Sequence, residues 1–77
     1  MTILKKMTEL KPGDQGTIEA IDPSCALMAR LQELGLLPGT PFEFIRRAPW
    51  GDPLEIKVRG SHLCLRKDEA VFISVSI

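Results

Sequence analysis

The sequence lacks an excess of charge of either sign. Ten Lys and Arg residues balance ten Asp and Glu residues, so the formal net charge is zero. Nucleic-acid-binding proteins usually carry a basic excess, because contacts to phosphates supply much of their affinity. The balanced charge therefore argues against nucleic acid as a partner. Nucleic-acid binding is nevertheless kept as an alternative function. A small barrel can bind single strands by stacking bases on aromatic side chains, which here are Phe42, Phe44, Trp50 and Phe72.

Long apolar runs are also absent. The longest extends from Cys25 to Ala29, five residues, whereas a membrane-spanning helix requires about 20. Lys5 and Lys6 near the N-terminus are not followed by the apolar stretch of about 7 to 15 residues that marks a secretory signal. We therefore expect a cytoplasmic protein.

Cysteine and histidine are scarce, with two and one copies. Two cysteines are too few for a disulfide scaffold. His62 and Cys64 would project to the same face of a strand and Cys25 could join them, but three ligands are one short of a closed structural zinc site. One histidine gives no basis for a Ser/His/Asp triad, and no Gly-rich phosphate loop occurs. We expect no metal, no cofactor and no enzymatic activity.

The length leaves room for one domain, 1–77. A chain of 77 residues with 44% hydrophobic and 26% charged residues has the composition of a folded soluble domain. A domain of this size buries only roughly 60% of the surface that its unfolded chain exposes. The core is therefore thin, and function is expected at the surface.

Glycine and proline divide the chain into segments of strand length. Leu54, Ile56 and Val58 alternate with charged residues, which places three apolar side chains on one face of a strand. Similar patterns predict five strands in all, at residues 17–21, 42–47, 54–59, 63–65 and 71–77. Five antiparallel strands with short connections favour a small closed barrel, because closure removes exposed edges.

One helix is predicted after the first strand, over Pro23 to Leu34. Leu27, Leu31 and Leu34 fall at i, i+4 and i+7 and would share one stripe of the helix. Asp22 is the expected N-cap. Gly35 is the expected C-cap in the left-handed conformation.

Three ordered segments carry a family resemblance. Residues 30–39 read R-L-x-E-L-G-L-x-P-G, residues 48–53 read A-P-x-G-D-P and residues 65–70 read L-R-K-x-E-A. In this order and spacing they resemble FeoA, the small ferrous iron transport protein A of bacteria, over nearly the whole chain. The resemblance implies an SH3-like β-barrel that docks on the cytoplasmic part of FeoB, a membrane iron transporter with a G-protein domain, and promotes iron uptake. Contact with the membrane would come only through that partner.

A second resemblance is to the SH3-like C-terminal domain of iron-dependent repressors. The chain shows no helical DNA-binding domain that would accompany such a role. A stand-alone relative of that repressor domain is therefore an alternative to the FeoB accessory.

The candidate partner-binding residues lie outside the predicted strands. Two adjacent leucines outside a regular element cannot easily both face inward, so one of Leu36 and Leu37 should be exposed. The segment from Pro49 to Pro53 should form a hairpin tip that presents Trp50, and Trp is enriched among interface anchors. Arg30 lies off the leucine stripe and should be exposed, either paired with an acidic side chain or free to act as an arginine finger on a G protein. The six candidates are Trp50, Leu36, Leu37, Pro49, Asp52 and Arg30.

Overall fold

The computed structural model describes residues 3–77; Met1 and Thr2 of the expected domain lie outside the described residues. Six strands, two short α-helices and a 3-10 helix follow one another along this part of the chain. They are β1 (Leu4–Lys6), the 3-10 helix (Met7–Glu9), β2 (Gln15–Ile21), α1 (Met28–Glu33), β3 (Pro41–Arg47), β4 (Leu54–Val58), β5 (Ser61–Leu65), α2 (Lys67–Ala70) and β6 (Ile73–Ser76). None of the helices in residues 3–77 is both long and apolar enough to span a bilayer.

The strands form one antiparallel sheet in the order β1-β6-β2-β3-β4-β5. The predicted mainly β class is confirmed, but the predicted count and closure are wrong for residues 3–77: the sheet has six strands and stays open, with β1 and β5 at its edges. Strand β1 has no alternating pattern that would predict it, because Leu4 is followed by two lysines, Lys5 and Lys6. Pairing with β6, where Leu4 lies opposite Ser76, makes this segment a strand.

The core lies on the inner face of the sheet and beneath α1. Leu54, Ile56 and Val58 are all buried, as their alternation predicts. Phe44 is the bulkiest of the fully buried side chains. Burial of these apolar side chains is the main force that holds a domain with two free cysteines together.

Helix α1 is shorter than predicted, and the prediction of Asp22 as its N-cap is wrong. The Asp22 carboxylate accepts hydrogen bonds from the Ser24 backbone N–H and hydroxyl at 2.9 and 2.8 Å, and these bonds lower the pKa of Asp22. A helix N-cap makes the same bond to the second residue after it, but here the backbone closes two successive turns: the Cys25 N–H donates to the Asp22 carbonyl and the Met28 N–H donates to the Cys25 carbonyl. Residues 22–27 therefore form turns, and the helix begins at Met28 behind Leu27, which supplies no side-chain cap.

The predicted leucine stripe is only partly correct. Leu31 is fully buried, whereas Leu27 and Leu34 are exposed. Cys25, in the turn before the helix, is buried in the core. The short helix thus contacts the core through one leucine rather than three.

Helix α1 ends at Glu33 with Leu34 as its C-cap, so Gly35 lies one residue beyond the cap but has the left-handed conformation that was predicted for it. Gly35 has φ +95°, and its N–H donates to the Gln32 carbonyl at 3.0 Å while the Leu36 N–H donates to the Leu31 carbonyl at 3.1 Å. These two bonds form a Schellman motif, in which the residue after the glycine usually packs on the last helical turn. Leu36 is accordingly fully buried.

Candidate functional site

An open groove lies where α1, the loop between β3 and β4, and α2 meet. Its volume is about 500 Å³. We call it the α1–α2 groove; its walls are formed by Leu27, Arg30, Pro53, Cys64, Arg66, Asp68 and Glu69. The groove combines two arginines with apolar side chains, a composition that suits contact with another protein.

Glu69, a buried residue of this groove, links α1 to α2 through hydrogen bonds of its carboxylate. Its side chain is only 5% exposed, and its Oε2 accepts a hydrogen bond from Arg30 Nη1 at 3.0 Å. Its Oε1 accepts from the Arg66 backbone N–H at 2.9 Å and so caps the start of α2. Both carboxylate oxygens are therefore satisfied, and the expected pairing of Arg30 with an acidic side chain is confirmed.

The loop from Ala48 to Pro53 forms the other wall. The Gly51 N–H donates to the Ala48 carbonyl at 2.8 Å, and Gly51 has φ +92°, so a tight turn projects the intervening residues outward. Trp50 is 83% exposed, as expected for a residue at a hairpin tip, and Pro49 beside it is also exposed.

Asp52 connects this loop to α2. Its Oδ1 accepts a hydrogen bond from the Lys67 backbone N–H at 2.9 Å, and its Oδ2 lies 4.0 Å from Arg66 Nη1. Asp52 is half-buried and already bonded to its own chain. It therefore holds the loop against α2, and Trp50 and Pro49 are the residues that the loop leaves free for a partner.

The two adjacent leucines face opposite environments. Leu36 is 0% exposed and Leu37 is 41% exposed, so the expectation that one of them is exposed is confirmed. Leu36 is not accessible to a partner because the Schellman motif directs it into the core. Leu37 is exposed and is therefore kept as a candidate partner-binding residue.

A second polar cluster lies on the outer face of the sheet. Glu55 on β4 accepts hydrogen bonds from Arg46 Nε at 3.0 Å and from His62 Nδ1 at 2.6 Å. A bulge in β3 at Ile45 shifts the register so that Arg46 lies opposite Glu55; the extra residue re-aims the arginine. The hydrogen bond from His62 lowers the pKa of Glu55 most, and the hydrogen bond from Arg46 lowers it further.

The hydrogen bonds of Glu55 to Arg46 and His62 lead to a prediction about pH dependence. We expect the pKa of Glu55 to lie below its ordinary value of 4.5, because both hydrogen bonds favour the charged carboxylate. Glu55 then contributes stability above about pH 4.5 that is lost as the pH falls through the lowered pKa. An NMR titration of the Glu55 side-chain carbon should show this pKa rising towards 4.5 in His62→Ala and changing less in Lys57→Ala. Equal midpoints in wild type and His62→Ala would contradict the assignment.

The sequence matches the model of a known protein family. Residues 5–77 match the model of the FeoA domain. The chain belongs to the FeoA domain family. This family is linked to ferrous iron transport, and the resemblance carried by the three sequence segments is thereby confirmed.

Two solved FeoA structures show the same architecture. The FeoA protein of Chlorobium tepidum is 38% identical with a TM-score of 0.86, over 95% of this chain and 70% of that one. The FeoA of Stenotrophomonas maltophilia, solved in complex with zinc and described as an SH3 domain protein, is 27% identical with a TM-score of 0.79, over 92% of this chain and 88% of that one. The FeoA domain described here is likewise SH3-like.

A third relative is a much longer protein. A fusion of Fe(2+) transport protein A with the Fe(2+) transporter FeoB, from Porphyromonas gingivalis, is 26% identical over 72 residues. The match covers 94% of this FeoA domain and 8% of the fusion protein.

The three metal-ligand candidates are not brought together. Cys25 is buried in the core, Cys64 is exposed on β5 and His62 is hydrogen-bonded to Glu55. Within residues 3–77 there is no group of three or more His, Cys, Asp or Glu side chains arranged to hold a metal ion.

The ligand count in the sequence, with two cysteines and one histidine, leads to a stability prediction. We expect stoichiometric zinc or ferrous iron to leave the Tm of this FeoA domain unchanged, since a ligand bound to the folded state alone would raise it. Thermal unfolding with and without metal measures this directly. A rise in Tm that disappears in Cys64→Ala but persists in Cys25→Ala would show a metal site on β5.

Several residues of the α1–α2 groove were not recognised from the sequence. Arg66 and Glu69 belong to a segment of consecutive charged residues, a pattern typical of a solvated turn, yet Glu69 is buried and caps α2. Glu69 lies three residues after Arg66, the residue that follows β5, and this is the spacing of a capping interaction. That spacing was the available signal for α2.

Proposed function

We propose that this FeoA domain is a cytoplasmic, non-enzymatic accessory that docks on the cytoplasmic part of FeoB and promotes ferrous iron uptake. The observation that carries the proposal is the Porphyromonas gingivalis relative, in which transport protein A and FeoB are one polypeptide. Covalent linkage keeps two modules at high effective concentration. Such an arrangement suits modules that act together.

The surface of the domain supports a docking role. The α1–α2 groove, the exposed Leu37 and the tip of the 48–53 loop offer exposed apolar side chains, and Arg30 and Arg66 keep guanidinium donors that Glu69 and Asp52 do not occupy. Trp50 is an exposed large aromatic side chain on a turn stabilised by backbone hydrogen bonds. A preordered anchor of this kind loses little conformational entropy when it binds.

The proposal is tested with full-length FeoB from the organism that encodes this chain, reconstituted in nanodiscs. The FeoA domain should bind these nanodiscs and not empty ones, and it should increase ferrous iron uptake when FeoB is in proteoliposomes. GTP hydrolysis measured in the same preparation shows whether the effect acts through the G-protein domain. Absence of binding at micromolar concentrations of both proteins would contradict the proposal.

Trp50→Ala is expected to weaken binding to FeoB by more than about 1 kcal/mol, as removal of an aromatic anchor does. The free energy of unfolding should change by less than about 0.5 kcal/mol, because the indole has little contact with the core. Calorimetry gives the affinity and urea unfolding gives the stability. Leu4→Ala, which removes another exposed apolar side chain at the far edge of the sheet, is the control.

The outcomes of this substitution are distinct. Wild-type affinity in Trp50→Ala would place the docking surface elsewhere, first around Leu37. A large loss of stability would instead mean that the 48–53 loop packs on the domain through its tryptophan.

Nucleic acid is a less suitable partner for this surface. Arg46 and His62 on the outer face of the sheet are both engaged by Glu55, so their donors are directed to a carboxylate rather than to phosphates. We therefore expect no salt-dependent binding of single-stranded DNA or RNA.

A further inference from the structure

Strand β5 has a free side. It is the last strand of the sheet and pairs with β4 alone. Within residues 3–77, the backbone of Ser61–Leu65 makes no hydrogen bond outside that pairing. The opposite side of β5 therefore presents unpaired N–H and C=O groups.

The hairpin geometry identifies which groups these are. A two-residue loop, Arg59 and Gly60 with φ 52° and 82°, connects Val58 to Ser61, and the pair that closes such a loop is hydrogen-bonded. Hydrogen-bonded and non-hydrogen-bonded pairs alternate along antiparallel strands. His62 and Cys64 are therefore in non-hydrogen-bonded pairs with β4, so their N–H and C=O groups point to the free edge.

This edge lacks the features that usually prevent pairing. Natural sheets protect their edges with lysine, proline, bulges or very short strands. The opposite edge follows this rule, since β1 is three residues long and contains Lys5 and Lys6. By contrast, β5 is the five-residue segment Ser-His-Leu-Cys-Leu, and its register with β4 is regular.

The Cys64 end of this edge opens into the α1–α2 groove, which contains Cys64 itself. Arg66 is 75% exposed and Arg30 is 58% exposed. Glu69 has both oxygens bonded, which leaves Asp68 as the exposed acid of the groove. Arg30 uses only Nη1 to bond Glu69, and Arg66 lies 4.0 Å from Asp52 without a hydrogen bond to it. The remaining donors of the two exposed guanidinium groups can bind a carboxylate on a segment that lies along β5.

We propose that β5 is a docking strand: an extended acidic segment of FeoB adds to the sheet beside it, as a seventh strand. Its backbone pairs with the N–H and C=O groups of His62 and Cys64, and one of its carboxylates lies between Arg30 and Arg66. Recognition of this kind derives affinity from main-chain hydrogen bonds and specificity from neighbouring side chains. This inference rests on the proposed function and names the element and the chemistry of the contact.

Cys64→Pro and Cys64→Val are the deciding pair of variants. Proline removes the outward N–H of Cys64 and places a ring on the free edge, whereas valine keeps the N–H. The N–H of Cys64 does not bond to β4, so proline is compatible with the hairpin. For FeoB in nanodiscs we expect at least about a tenfold loss of affinity in Cys64→Pro, the equivalent of about 1.4 kcal/mol, and less than about a twofold change in Cys64→Val.

Two measurements complete the test. Hydrogen exchange of the wild-type domain bound to FeoB should show new protection of the His62 and Cys64 amides and little change at Leu63, whose N–H already bonds to β4. Arg66→Gln should weaken binding and reduce its dependence on salt. If Cys64→Pro does not fold, His62→Pro compared with His62→Val gives the same contrast.

The results separate the two proposals. If the wild-type domain does not bind FeoB, both fail. If it binds, and Cys64→Pro and Cys64→Val bind with equal affinity, the docking strand is refuted while the proposed function stands. A wild-type dimer that Cys64→Pro dissociates, with FeoB binding unchanged, would likewise overturn the inference by showing that a second copy of the chain pairs with β5.

Discussion

Leu31→Ala is expected to destabilise the domain by about 2–4 kcal/mol, which is the usual cost of removing a buried leucine side chain. Leu31 is the fully buried residue of α1, and the partly buried Met28 packs against the core beside it. Its carbonyl also accepts the hydrogen bond from the Leu36 N–H that ends the helix. The truncation therefore leaves a cavity at the point where the helix and the following loop are fixed to the sheet.

Urea unfolding of Leu31→Ala and Leu34→Ala provides the measurement and its control. The two substitutions remove the same atoms, one from α1 and one from its C-cap residue, but Leu34 is exposed. We expect Leu34→Ala to lower the free energy of unfolding by less than about 1 kcal/mol, because little apolar surface returns to water. Equal losses in the two variants would mean that the helix does not dock through Leu31.

Gly16→Ala is expected to cost about 1–3 kcal/mol, the range for groups forced into a packed region. Gly16 lies on β2, where a Cβ would collide with the backbone carbonyl of Ser76 and with the side chain of Ile77. A backbone carbonyl cannot move aside without disturbing the pairing of β2 with β6, in which Thr17 lies opposite Ser76. The cost is therefore steric.

The neighbouring Gln15 is a suitable control for this substitution. It is exposed on the same strand, and Gln15→Ala should change the free energy of unfolding by less than about 0.5 kcal/mol. Thermal and urea unfolding of both variants would check the contrast. Wild-type stability in Gly16→Ala would mean that β2 and β6 lie farther apart at this position.

The stability of the domain and the proposed docking surface depend on different residues. Asp52 and Glu69 line or border the α1–α2 groove, yet each carboxylate accepts a backbone N–H of α2. Substitutions at these two positions should therefore affect binding through the shape of the groove. Substitutions at Trp50, Leu37 and Arg66 should affect it through direct contact.

Features that depend on local patterning could be predicted from the amino-acid sequence. Alternation at Leu54, Ile56 and Val58 predicted β4, because a period of two places all three on the buried face. Gly35 predicted the end of α1, since a left-handed residue after a helix is usually glycine. Proline and glycine between 49 and 53 predicted the exposed turn that presents Trp50. Each of these predictions uses residues within about ten positions of one another.

Features that need partners distant in the chain could not be predicted and are seen only in the folded domain. β1 becomes a strand by pairing with β6, about 70 residues away. Glu69 is buried because Arg30, 39 residues earlier, supplies the opposite charge. The bulge that brings Arg46 to Glu55 and the free edge of β5 likewise follow from the register and order of the strands. Local sequence specifies which segments can pair, but burial and long-range hydrogen bonds determine which do, because local preferences are small beside the energy of packing.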